Sequence, residues 1–73
     1  MSVISFDEAR TLVLARLRQW LEQLPESERR RPRKIINFKP YSVIDLITEV
    51  EKDSDVGRTY VYDDAKLLGY AVE

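Results

Sequence analysis

Five cations in six residues, Arg29-Arg30-Arg31-Pro32-Arg33-Lys34, form the densest run of reactive chemistry in this sequence. Guanidinium and ammonium groups at that spacing can bracket successive phosphates, and such a contact weakens steeply with salt. It would position the chain on nucleic acid without reading bases. Against that use, Glu26 and Glu28 stand beside the run and the whole chain carries a net charge of −1. No helix-turn-helix, zinc finger or aromatic-rich RNA motif accompanies it. A solvated connection explains the same residues more simply, so nucleic-acid binding through Arg29, Arg30, Arg31, Arg33 and Lys34 is the second expectation.

Carboxylates are the other candidate chemistry. Asp53, Asp55, Asp63 and Asp64 could suggest a hard divalent cation, but Asp53, Asp55, Gly57 and Asp64 miss the alternating register of an EF-hand loop. Helix capping accounts for Asp53 and Asp55, and an arginine partner for Asp64. With no His and no Cys, there is neither an imidazole base nor a thiolate nucleophile. Gly57 and Gly69 are the only glycines, too few for a phosphate-cradling loop. A carboxylate pair or a Tyr–Arg pair could act, but a chain of 73 residues leaves scant room for a pocket of about 300 Å³. Neither an enzyme nor a cofactor or metal site is expected. Gly57-Arg58 reads either as an anion contact at a helix start or as close helix packing.

These residues need elements to hold them. Ser5 with Glu8 makes a capping box, and Phe6, Ala9, Val13, Leu17, Trp20 and Leu24 recur at three- and four-residue spacings, predicting a helix over 5–24 that stops before Pro25. Ser42 with Asp45 starts a second helix, 42–52, with Val43, Leu46, Ile47 and Val50 on one face. Between them, residues 25–34 are a charged connection and 35–41 an extended joint. The last third is ambiguous. Ser54 or Asp55 can cap a helix over 54–68 closed by Gly69, yet Arg58-Thr59-Tyr60-Val61-Tyr62 has strand composition.

The expected fold is therefore all-α, one small three-helix domain over residues 1–73. The alternative is α+β, two helices on strands at 34–38, 58–63 and 70–73. Either would share a core of Phe6, Val13, Leu17, Trp20, Leu24, Ile36, Phe38, Leu46, Ile47, Val50, Tyr60 and Leu67.

A single core of this size supplies only about 3–5 kcal/mol, and without Cys or His neither disulfides nor the usual zinc ligands can add to it. A partner subunit is the remaining aid. On the first helix Leu14 and Leu21 lie to one side of the core stripe and Leu12 to the other, so the apolar arc either wraps two neighbours or leaves a protein-facing patch. Charge is uneven too: residues 1–34 carry 8 basic and 5 acidic side chains, and residues 35–73 carry 4 and 8. The halves could attract within one chain or between copies. The leading expectation is a non-catalytic protein-interaction module, a homo-oligomer or an accessory subunit, with Leu14 and Leu21 as its contact residues. No run approaches a membrane span and no secretory leader is visible, which reads as soluble and cytoplasmic.

Overall fold

The structure, a computed structural model, describes residues 2–73. Helix α1 (Phe6–Gln23) begins at Ser5, whose hydroxyl accepts from the Glu8 amide while the Glu8 carboxylate accepts from the Ser5 amide. These bonds satisfy amide donors that the first helical turn leaves without partners. The helix ends where Leu24 turns extended ahead of Pro25. Helix α2 (Val43–Glu51) has the same reciprocal cap between Ser42 and Asp45. Helix α3 (Asp55–Leu67) starts at Ser54, which accepts from the Gly57 amide. The ambiguity of the last third resolves to helix. Ser54 caps it, Gly57, Val61 and Ala65 turn into the core, and Gly69 leaves it at φ +92°.

Four three-residue strands complete the chain. Strand β1 (Ser2–Ile4) pairs in parallel with β4 (Tyr70–Val72), joining the two ends of the described chain. Strands β2 (Lys34–Ile36) and β3 (Lys39–Tyr41) form an antiparallel hairpin. The architecture is α+β, which corrects the all-α expectation. The predicted extended joint folds back on itself as a hairpin, and the chain ends find each other. The α+β alternative has the right class and strands near 34–38 and 70–73, but residues 58–63 are helical.

α1 packs on both α2 and α3, which also pack on each other. Ala9, Val13, Leu14 and Leu17 of α1 meet Val43, Leu46 and Val50 of α2 and Tyr60, Val61 and Ala65 of α3, with Ile36 closing one side. At Gly57 α3 lies directly against the backbone of α2, since a Cβ there would overlap the Glu49 carbonyl and the Val50 Cα. Close packing is thus the role of this glycine, and the neighbouring Arg58 lies over the Phe6 ring and pairs with Asp53. Phe6 also meets Tyr62, with ring centroids 5.4 Å apart. Arg10 reaches across from α1 to the Val50 and Glu51 carbonyls, the second an acceptor that the end of α2 leaves open.

Two expected core residues lie outside. Leu67 is 80% exposed, because it sits about 90° around α3 from the centre of the stripe formed by Gly57, Tyr60, Val61, Asp64 and Ala65. Phe38 is 100% exposed, because residue 38 belongs to the hairpin turn and not to a strand facing the core.

Candidate functional site

Two places on the molecule gather polar or aromatic groups that could meet a ligand. The first is a cleft of about 460 Å³ along α1 and α3, lined by Arg16, Leu17, Gln19, Trp20, Gln23, Tyr60 and Asp64. That volume exceeds what the chain length led us to expect, because the cleft is an open groove beside the core and takes no space from it. Helical spacing sets Arg16, Trp20 and Gln23 along one edge of α1, and Tyr60 and Asp64 one turn apart on α3.

Asp64 is only 6% exposed. Arg16 meets it through Nε at 3.1 Å and Nη2 at 3.5 Å, the paired arrangement that suits a guanidinium and a carboxylate. The bond to Asp64 and its charge raise the Arg16 pKa further. Burial, reinforced by the Asp64 charge and opposed by Arg16, pushes the Tyr60 phenol up to about 12. At neutral pH Tyr60 is a neutral hydroxyl and Asp64 already has its counter-ion. The cluster therefore offers neither a general base nor an activated nucleophile.

The second place is the hairpin and the connection leading into it. Between Ile36 and Lys39 stand Asn37 at φ 51° and Phe38 at φ 67°, the left-handed pair of a type I′ turn, whose twist matches that of the flanking strands. Asn tolerates this conformation; Phe does so at an energetic disadvantage of about 1–2 kcal/mol. Opposite residues of an antiparallel pair share a face, so Ile36 with Lys39 lies on one side and Ile35 with Pro40 on the other. Ile36 is buried and Ile35 is 72% exposed. The outer face of the hairpin is thus an apolar strip, Pro40 and Ile35, that ends in Phe38.

The basic connection leads into the base of this hairpin, where the Arg33 amide donates to the Tyr41 carbonyl. Residues 25–44 hold six cations and two carboxylates, against six cations and eleven carboxylates in the rest of the chain. After a 3-10 turn at Glu26–Glu28, Glu28 pairs with Arg33 at 3.1 Å and Arg31 at 3.6 Å. Arg29 donates from Nε to the Leu24 carbonyl, which ties the connection to the end of α1. Among the described residues no carboxylate pairs with Arg29, Arg30, Lys34 or Lys39. The carboxylates of α2 pair elsewhere, Glu51 with Arg18 and Glu49 with Lys52. The basic connection thus forms no ion pair with α2, and the expected attraction between the two halves is not realised there.

The sequence-predicted residues separate accordingly. Arg33 and Lys34 join the base of the hairpin, Arg31 shares Glu28 with Arg33, Arg29 is held at the end of α1, and Arg30 is exposed between them. Leu14, expected at a protein interface, is 8% exposed and belongs to the core; Leu21 packs against that core, partly buried. On the Leu14 side the arc of α1 is covered by its neighbours, whereas Leu21 keeps part of its surface and Leu12, at the other edge, is exposed. Asp53 and Asp64 are paired with arginines, and no group of three metal-ligating side chains occurs among the described residues. Sequence reasoning missed Phe38 and Lys39 as surface groups. The available signal was Asn37 itself, a residue that tolerates the left-handed conformation of a turn. No protein-family model, no curated protein and no solved structure matches this chain.

Proposed function

We propose that this protein is a non-catalytic interaction module, an accessory part of a larger cytoplasmic assembly, and that its docking element is the β2–β3 hairpin with the basic connection before it. One observation carries the reading. Phe38 is held in a left-handed conformation that disfavours it and touches none of the core. Backbone strain of this kind is found where a function uses the residue. The helical body supports the same reading from the other side: Arg16 and Asp64 satisfy each other, and the Tyr60 phenol beside them holds its proton.

The test needs no knowledge of the partner. Phe38→Gly converts the turn to Asn-Gly, the sequence best suited to a type I′ hairpin. Denaturant unfolding should show this variant more stable than the wild type by about 1 kcal/mol. A loss of stability would mean that Phe38 serves folding, and the docking role would fall with it.

A further inference from the structure

We infer that the hairpin takes a single-stranded nucleic acid, Phe38 stacking on an unpaired base while Arg29, Arg30, Lys34 and Lys39 contact the phosphates on either side. This rests on the docking role proposed above and names the chemistry of the partner.

Three features of the surface select this partner. The first is the pairing of a bare aromatic ring with a run of cations. Sequence-tolerant binding of single strands uses those two ingredients, a ring for the base and a basic track for the backbone. Here the ring stands at the hairpin tip, 100% exposed, and the cations both precede and follow it in the chain. By the pairing of the strands Lys34 and Lys39 lie on the face opposite Ile35 and Pro40, so the phosphates would run along the lysine side while the base at the tip meets Phe38.

The second feature is that the cations stand outside any ion pair. Arg29, Arg30, Lys34 and Lys39 have no carboxylate partner among the described residues, so a phosphate displaces no internal ion pair. A protein partner would have to bury Lys34 and Lys39, and lysine is depleted at protein interfaces.

The third feature is the charge of everything else. Outside residues 25–44 the chain carries eleven carboxylates and six cations, in a molecule whose extents as a whole are 36 × 25 × 19 Å. A broad anionic object, a lipid surface or a duplex, would face more of that acidic charge than a single strand does, and the repulsion acts over a Debye length of about 8–10 Å. A single strand is narrow enough to meet the basic track alone. A duplex also hides the base faces that Phe38 would stack on, and opening a step takes a few kcal/mol.

The experiment is fluorescence anisotropy of a labelled oligothymidylate of about 15 nucleotides, titrated with the full chain. Binding is expected at about 50 mM salt, with log K falling against log salt at a slope of about −3 for four phosphate contacts on a single strand. Phe38→Gly should weaken binding about tenfold, and Lys34→Gln with Lys39→Gln should flatten the slope by about 1.4. Absence of binding would overturn the inference. So would binding that is equal on a blunt duplex and indifferent to Phe38→Gly, since cations alone would then suffice. Binding of phosphatidylglycerol vesicles that depends on Phe38, with the oligonucleotide ignored, would assign the hairpin to a lipid surface instead. The two proposals fail separately. If Phe38→Gly stabilises the fold and the oligonucleotide still does not bind, the docking role stands and only this partner is lost; if Phe38→Gly destabilises the fold, the docking role itself is lost.

Discussion

The cleft between α1 and α3 and the β2–β3 hairpin hold similar ingredients, aromatic rings beside arginines, and treat them in opposite ways. In the cleft the Arg16 guanidinium is bound to Asp64 and the Tyr60 ring is buried. On the hairpin Arg30, Lys34 and Lys39 lack carboxylate partners among the described residues, and Phe38 meets only solvent. The contrast separates groups that complete the fold from groups that the fold leaves over. A polar pair that is mutually satisfied gains little from a ligand, whereas an exposed ring and unpaired cations still have their interaction energy to give.

The largest effect should come from the finished side. Gly57→Ala places a methyl group against the Glu49 carbonyl and the Val50 Cα, both backbone atoms that cannot swing aside. The Ser54 hydroxyl also donates to that carbonyl, so α2 and the start of α3 are fixed to each other at this point. Overpacking here should cost about 3 kcal/mol, most of the margin of a single small core. Guanidinium unfolding would read it, and a loss below about 1 kcal/mol would show that α2 and α3 slide past each other easily.

Tyr60 gives the next effect, and it sharpens the comparison by pH. Its folded pKa is pushed up to about 12 by burial and by Asp64, above the value of about 10 for a phenol in an unfolded chain. The folded state therefore holds this proton more tightly. Its contribution is fully present below about pH 10 and is lost as the pH rises from about 10 to 12, to a total of about 2–3 kcal/mol. Stability measured across that window should fall in the wild type and fall less in Tyr60→Phe. Equal alkaline profiles would mean that the phenol reaches water more readily than its packing indicates.

How far these two regions could be read in advance differs in an instructive way. Local signals marked the helical body: Ser5 with Glu8, Ser42 with Asp45, and Ser54 each start a helix, and Gly69 ends one. The core stripes of α1 and α2 followed from spacing alone. The basic run was equally visible, being a matter of composition. What it lacked was a partner feature, because Phe38 reads as one more core residue until Asn37-Phe38 is seen to be the turn. Strand β1 carried no local signal, since its pairing to β4 joins residues at opposite ends of the chain, and a three-residue strand has too few positions to show a period. Asp64 was expected to meet an arginine, but only the packing of α1 on α3 selects Arg16. Leu14 illustrates the converse: an apolar residue off the stripe looks free until a second neighbour covers it.

The smallest predicted effect draws the boundary between the two regions within one strand. Ile35 and Ile36 are adjacent in β2, yet the period of two sends Ile36 into the core and Ile35 to the outer face of the hairpin. Threonine suits a strand as well as isoleucine does, so replacing either residue isolates the apolar contact from strand propensity. Ile36→Thr buries a hydroxyl in place of methyl groups and should lower stability by about 2 kcal/mol. Ile35→Thr should change it by less than about 0.5 kcal/mol. If Ile35 instead behaved like Ile36, the outer face of the hairpin would have to be covered in solution. Repeating the unfolding at several protein concentrations would then reveal the cover, because a second copy makes apparent stability rise with concentration. Independence from concentration, together with a silent Ile35→Thr, is the outcome expected of a face left open for a partner that is not this chain.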